Sequence, residues 1–322
     1  MTCPDILVTA PMRPPLMEAL AASFTVHLLP SRAERAAFWR DIGPRIRGVA
    51  TSTLFGRTDA ALFDLLPNLE IVSSFGVGYD NVDAEAAAMR GIVVTNTPGV
   101  LDEEVADLAV GLLLATVRQI PQGDRHVREG RWAERPFPLS PTLRGRRVGI
   151  VGLGGIGKAI ARRLDGFGVD IAWHGRRAQP DVAYPYHPTL PGLAEASDVL
   201  IVIVPGGPGT RHLINEAILA ALGPDGILIN VSRGSVVDEQ ALVAALQSRT
   251  ILAAGLDVYE DEPHVPEALT AMPQLVLLPH VGSATAHTRD AMGKLVSDNL
   301  AAWFQEGRPL TPVAESLPLL NR

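Results

Sequence analysis

One stretch constrains the fold more than any other: Gly149-Ile150-Val151-Gly152-Leu153-Gly154-Gly155-Ile156-Gly157-Lys158. The residues before it read as a buried strand, and residues 156–164 read as a helix. The G-x-G-x-x-G pattern therefore falls at a strand-to-helix turn, the context that separates a phosphate-binding loop from an ordinary glycine-rich connection. Gly152 permits the tight turn, Gly154 lets the backbone approach a pyrophosphate, and Gly157 allows the helix to lie close on the strand. Free N–H groups at the helix start then face an anion. Gly152, Leu153, Gly154, Gly155, Ile156 and Gly157 are thus the expected dinucleotide cradle.

The rest of the chain agrees with a doubly wound α/β protein. Short apolar runs at 147–151, 169–174, 199–204, 226–231, 252–258 and 275–278 alternate with helical patterns, which predicts a six-stranded parallel sheet of the Rossmann type. An earlier series at 6–9, 25–28, 48–51, 71–74 and 92–95 predicts a second parallel sheet. Its helices are expected at 14–23, 59–66 and 83–90, with Asp59 and Asp83 as N-caps. A long apolar helix is expected at 103–120. The amphipathic pattern at 286–306 comes after the sixth strand and is assigned back to the first domain. The expected division is a discontinuous substrate-binding domain, 1–99 plus 287–322, and a dinucleotide-binding domain, 100–286. With 322 residues, each domain is large enough to bury a core.

Charge and cysteine content exclude several classes. Lys plus Arg number 28 against 35 Asp plus Glu, a net charge of −7 that disfavours nucleic acid and anionic membrane. A single cysteine, Cys3, rules out a disulfide framework or a cysteine-rich zinc site. His280 and His287 lack a third ligand at metal-binding spacing, so no metal is expected. The start of the chain shows no recognisable signal peptide, and a cytoplasmic protein is expected.

The end of the second Rossmann strand reports on the dinucleotide. An NAD site usually carries an acidic residue about 20 residues after the glycines, to accept from the ribose 2′-hydroxyl. Here the chain reads His174-Gly175-Arg176-Arg177. Gly175 stands where the carboxylate would be, and two guanidinium groups follow that suit a 2′-phosphate. NADP(H) is the expected cofactor, with NADH as the weaker alternative. Arg233, Glu262 and His280 fall beyond the fourth, fifth and sixth strands, at the carboxyl edge where open α/β sheets bind ligands. An imidazole can donate the proton for a carbonyl reduction, a carboxylate can orient it, and an arginine can grip a substrate carboxylate. His27, His126, His174, His187, His212, His264 and His287 have no comparable setting in the sequence.

The motifs VGLGGIGKAIARRL (151–164), NVSRGSVVDEQAL (230–242), GLDVYEDEP (255–263) and PHVGSAT (279–285), with SFGVGYDNVD (74–83) and TNTPGVLDEEVADLAVGLLL (95–114), resemble the D-isomer-specific 2-hydroxyacid dehydrogenase family. That resemblance covers essentially the whole chain. It implies two Rossmann/flavodoxin-like parallel-sheet domains with the active site in the interdomain cleft, and a homodimer joined through the cofactor domains. It also implies His280 as proton donor, Glu262 as its partner, Arg233 as carboxylate and carbonyl binder, and the Val77 and Gly78 N–H groups as a second grip on the carboxylate. Asp257 is implied to contact the nicotinamide amide. Val204, Pro205, Thr210, Val231, Ser232, Arg233, His280 and Gly282 are implied to line the cofactor site. The arginine-bearing turn resembles the NADPH-using glyoxylate/hydroxypyruvate reductase branch. The alternatives are the same chemistry on 2-ketogluconate or a bulkier 2-oxo acid, or a dinucleotide-sensing scaffold like the corepressors that share this fold.

Overall fold

The computed structural model describes residues 3–52 and 56–320. The chain divides into two compact units, one formed by Met1–Leu101 with Thr285–Arg322 and the other by Asp102–Ala284. Among the described residues, no helix is long and apolar enough to cross a membrane.

The first unit carries β1 (Asp5–Val8), β2 (Thr25–Leu28), β3 (Ile46–Ser52), β4 (Ile71–Phe75) and β5 (Val93–Thr95). They form a parallel sheet in the order β2-β1-β3-β4-β5, the flavodoxin-like arrangement. Every residue of β4 is buried, as expected for a central strand covered on both faces. The helices Pro14–Ser23 and Ala286–Glu306 pack on one face. Gly48 makes this possible, because Leu300 and Phe304 of the second helix come within 3.2 and 3.3 Å of where its Cβ would stand. On the other face Val49, Val72 and Val94 join Phe63, Ala84 and Ala87 in one apolar cluster. Asp83 caps its helix by accepting from the Ala86 N–H at 2.9 Å. Asp59 makes no such bond, and its helix shortens to Ala60–Phe63.

The second unit carries β6 (Arg147–Val151), β7 (Asp170–His174), β8 (Val199–Val202), β9 (Ile227–Asn230), β10 (Ala253–Leu256) and β11 (Leu275–Leu277). The parallel order is β11-β10-β9-β8-β6-β7. The usual Rossmann order places one more strand outside β7. A remnant of it is present: Tyr186 forms a single parallel bridge to Trp173, with Trp173 N–H donating to Pro185 and His187 N–H to Trp173. Pro185 and Pro188 on either side lack N–H groups, so the remnant cannot lengthen into a ladder.

The long helix expected at 103–120 is Asp102–Arg118, and a second helix not expected from the sequence, Ile120–Arg128, follows it. Gln119 between them adopts a left-handed backbone, φ 51°, and Pro121 occupies the first turn of the second. Gly255 of β10 lets the first helix lie on the sheet, since a Cβ there would press on Leu112 and Thr116.

Candidate active site

In the second unit the sheet's carboxyl edge gathers most of the residues singled out above. At the exit of β6, Gly152 has φ +100°, and a Cβ there would overlap the Ile203 carbonyl that follows β8. A Cβ at Gly157 would overlap the Gly152 carbonyl, so both glycines are required by close approach of backbone. Gly154 is different, because a Cβ there would meet no atom within 4 Å. Its outer side is open, as a backbone that admits a pyrophosphate requires. The ten-residue helix Gly155–Leu164 starts directly behind it. Gln179 ties the loop down by donating to the Leu153 carbonyl at 2.9 Å. These features fit a dinucleotide.

Beyond β7, the Gly175 carbonyl accepts from the Tyr186 hydroxyl at 3.1 Å and the His174 Nδ1–H donates to the His187 carbonyl at 2.8 Å. The turn is therefore held by its backbone, while Arg176 and Arg177 stand exposed. Neither arginine has an ion pair or hydrogen bond among the described residues. Beyond β8, the Thr210 hydroxyl donates to the Pro205 carbonyl at 2.7 Å, closing a loop that begins with Val204 against Gly152.

Beyond β9, Asn230 shapes the turn. Its Oδ1 accepts from both the N–H and the hydroxyl of Ser232, and its Nδ2 donates to the Arg233 carbonyl at 3.1 Å. Arg233 itself donates from Nη1 to the Ser232 carbonyl at 2.8 Å. Beyond β10 and β11 lies an imidazole–carboxylate pair. His280 Nδ1 donates to Glu262 Oε2 at 2.7 Å, and Glu262 Oε1 accepts from the Tyr259 N–H at 3.0 Å. Burial raises the Glu262 pKa, but the His280 hydrogen bond and charge, the Tyr259 N–H and the Arg233 charge outweigh it, so the carboxyl lies below its ordinary range. With Nδ1 occupied, Nε2 is the nitrogen left to face a substrate.

His280 adopts φ +53°, a region that non-glycine residues rarely occupy. The surroundings impose it: its N–H donates to the Asp257 carbonyl, and the Asp257 carboxylate accepts from Val281 and Gly282 N–H groups at 2.8 and 2.9 Å. Asp257 is 2% exposed, and burial raises its pKa even though both N–H bonds favour the charged form. Its observed contacts are to the loop carrying His280, and each oxygen retains a further acceptor direction.

Three residues of this edge have contacts that the sequence did not show. Glu239, 9% exposed, accepts the Glu260 N–H at 2.8 Å and so supports the turn that carries Glu262. The Tyr259 hydroxyl, its pKa pushed up to about 12 chiefly by burial, donates to the Leu278 carbonyl at 2.9 Å and ties the same turn to the end of β11. His212, read from the sequence as lacking a comparable setting, has its Nε2 bonded to Glu260, with Asp238 3.7 Å from Nδ1. His27 likewise pairs with Asp5 at 2.6 Å. The adjacent acids in VVDEQAL were a signal for Glu239; the histidine pairs join residues distant in sequence. Among the described residues, no group of three or more His, Cys, Asp or Glu side chains is placed to hold a metal.

In the first unit, Val77 and Gly78 follow β4. Gly76 N–H donates to the Thr97 hydroxyl, Thr97 N–H to the Gly76 carbonyl, and Asn96 Nδ2 to the Val77 carbonyl at 2.8 Å. Among the described residues, neither Val77 N–H nor Gly78 N–H donates to a protein acceptor.

A Rossmann sheet with an open phosphate loop, and a hydrogen-bonded imidazole–carboxylate pair on the same edge, defines a dinucleotide-dependent oxidoreductase. Residues 110–282 match the family model described as D-isomer specific 2-hydroxyacid dehydrogenase, NAD binding domain. The chain is 46% identical over 308 residues to glyoxylate/hydroxypyruvate reductase A of Arabidopsis thaliana, covering 96% of this chain and 98% of that protein. It is 43% identical over 310 residues to 2-ketogluconate reductase of Gluconobacter oxydans, with 96% and 98% covered. Among solved structures, it is 55% identical to the NADPH-dependent glyoxylate/hydroxypyruvate reductase of Sinorhizobium meliloti in complex with NADP and malonate. That match has a TM-score of 0.93 and covers 98% of each chain. The chain belongs to the D-isomer-specific 2-hydroxyacid dehydrogenase family.

Proposed function

We propose that the protein reduces small 2-oxo acids, glyoxylate and hydroxypyruvate, to D-2-hydroxy acids with NADPH. The observation that carries this is the His280 Nδ1 to Glu262 hydrogen bond of 2.7 Å in a chain 55% identical to a reductase of that activity. The cradle Gly152–Gly157 and the loops bearing Val204, Pro205, Thr210, Val231 and Ser232 hold the dinucleotide, and Arg176 and Arg177 meet its 2′-phosphate. When bound, NADPH supplies the hydride to the substrate carbonyl carbon. His280 Nε2 delivers the proton to the carbonyl oxygen, and Glu262 stabilises the imidazolium before that transfer. Arg233 pairs with the substrate carboxylate and polarises the adjacent carbonyl, while the Val77 and Gly78 N–H groups grip the carboxylate. Turnover with NADPH on glyoxylate, hydroxypyruvate and 2-ketogluconate tests the assignment. Highest kcat/KM on the two small acids is the expected result, and none on any of the three overturns it. The similarity to 2-ketogluconate reductase makes the sugar acid the second reading.

Arg233→Lys keeps one charge but loses the planar fork that holds carboxylate and carbonyl together. The expected outcome is a raised KM with a lowered kcat, because the contact serves both binding and transition state. Steady-state parameters equal to wild type remove Arg233 from the substrate.

The dimer is proposed to form through the cofactor domain, on the segment that follows the helix Asp102–Arg118. Ile120, Val127, Trp132 and Leu139 are all exposed there, Trp132 by 66% and Leu139 by 99%. The segment is nonetheless anchored, with Gln122 donating to the Pro273 carbonyl and His126 bonded to the Arg135 carbonyl. A second copy is the occupant that fits four large apolar side chains on one ordered arm. Trp132→Glu is expected to weaken dimerisation by roughly thirtyfold or more, the loss of an interface anchor of about 2 kcal/mol. Sedimentation equilibrium reads the change; a monomeric wild type overturns the assignment. A net charge of −7 supports no nucleic-acid partner, and the free thiol of Cys3 suits the reducing cytoplasm proposed as its location.

A further inference from the structure

The first unit contains a chain of hydrogen bonds that ends on the peptide between Val77 and Gly78. It begins at Asn299, 0% exposed in the middle of the helix Ala286–Glu306. Asn299 Oδ1 accepts from the N–H groups of Leu310 and Thr311, both at 2.9 Å. Its Nδ2 donates to the Leu295 carbonyl and to the Thr311 hydroxyl, both at 2.8 Å. Two backbone donors on Oδ1 settle which amide atom is oxygen, since the flipped amide would lose both bonds. The Thr311 hydroxyl, having accepted from Asn299, donates to the Asn96 carbonyl at 2.6 Å. Asn96 in turn donates from Nδ2 to the Val77 carbonyl.

The segment carrying Thr311 is bound to β5 at several further points. Asn96 N–H donates to the Thr311 carbonyl, Val313 N–H to the Val94 carbonyl, and Val94 N–H to the Ser316 hydroxyl at 2.8 Å. The Tyr79 hydroxyl, one residue past Gly78, donates to Glu315 at 3.1 Å. The segment therefore meets the Val77–Gly78 loop from two sides, through Asn96 and through Tyr79.

We propose that Asn299 and Thr311 are positioning residues for substrate binding: they set the orientation and donor strength of the Val77–Gly78 peptide through Asn96. The inference rests on the reading that this peptide binds the substrate carboxylate. The physical link is the peptide group itself. The Val77 carbonyl and the Gly78 N–H belong to one planar unit, so fixing the carbonyl fixes where the N–H points. A carbonyl that accepts a hydrogen bond also leaves its peptide N–H a stronger donor. Each donor and acceptor in the chain is used in one consistent direction, so no member can turn without breaking one of its bonds, and at Asn299 that leaves a buried group unsatisfied.

Thr311→Val keeps the shape of the side chain and exchanges the hydroxyl for a methyl, and Thr311→Ser keeps the hydroxyl. With NADP present, oxalate is the probe of the carboxylate grip, and backbone amide NMR shifts of Val77 and Gly78 report where it binds. The expected result for Thr311→Val is a roughly tenfold weaker oxalate Kd and a comparably raised KM for the 2-oxo acid. The KM for NADPH is expected to stay unchanged, and Thr311→Ser to return to within about twofold of wild type. Thr311→Ala makes the same cut if the valine variant does not fold. Wild-type Val77 and Gly78 amides that do not shift with oxalate overturn the carboxylate reading, and the relay with it. Amides that shift in wild type, with an oxalate Kd unchanged by Thr311→Val or Thr311→Ala, overturn the relay alone. Losses of oxalate and NADPH affinity in equal measure also overturn it, because they mark a general loss of structure.

Discussion

Replacing His280 by alanine is expected to slow 2-oxo acid reduction by roughly two to four decades, the range for a lost general acid. Dinucleotide affinity should change little, because in the proposed mechanism Nε2 serves the substrate carbonyl and Nδ1 is already given to Glu262. The pH dependence carries a sign that separates the two partners. Glu262 is held below the ordinary carboxyl range, so it stays ionised through neutral and basic pH. Reduction takes up a proton through the His280 ring in the proposed mechanism, so its rate is expected to fall as pH rises. Oxidation of the hydroxy acid should rise over the same interval, because there the neutral ring is the base. A folded His280→Ala protein with near wild-type kcat, or a reduction rate that climbs with pH, removes His280 from the chemistry.

The acid–base pair was legible because its members stand just past strands whose apolar runs are unmistakable, and topology brings strand ends together. The phosphate loop was legible for a related reason: each glycine answers a local demand, a positive φ at Gly152 or contact with backbone at Gly157. What escaped notice depends on tertiary context. The helix Arg35–Asp41 is only seven residues long, and only Phe38 and Trp39 rest half-buried on the first unit's core, too few positions to show a helical period. The helix Ile120–Arg128 was missed because it buries only His126 and leaves its apolar Ile120 and Val127 exposed, so no apolar stripe marks it. His212 meets Glu260 over 48 residues, and Thr311 meets Asn96 over 215, separations at which no sequence pattern signals a hydrogen bond. Side chains that hold the site are thus harder to read than those placed to do the chemistry. They are ordinary asparagines, threonines and tyrosines whose role comes from burial and direction.

The largest reversal is expected at the turn after β7, where three adjacent residues choose between two cofactors differing by one phosphate. That phosphate carries about −1.5 to −2 charges at neutral pH, as phosphorylated side chains do. Gly175 presents no carboxylate to repel it or to accept from a ribose 2′-hydroxyl. Arg176 and Arg177 are exposed and have no acidic partner among the described residues, so binding the phosphate breaks no existing pair. A charge-assisted hydrogen bond lost at such a site costs about 1.5–3 kcal/mol, or roughly tenfold to a hundredfold in affinity. Wild type should therefore favour NADPH over NADH by at least about one decade in kcat/KM. Gly175→Asp combined with Arg176→Ser and Arg177→Ser should invert the order, because repulsion is added as attraction is removed. The backbone of the turn should tolerate the change. Gly175 is not in the left-handed region, and the bond from Tyr186 engages its carbonyl rather than a side chain. The closest obstacle to an added Cβ is the Trp173 ring edge at 3.2 Å, a neighbour that must give by a few tenths of an ångström. Raising ionic strength should erode the wild-type preference, since an exposed guanidinium pair is screened within a Debye length of about 8 Å at physiological salt. Equal kcat/KM for the two cofactors at low salt would overturn the expected NADPH preference, and a preference indifferent to salt and to the triple substitution would assign the discrimination to other residues.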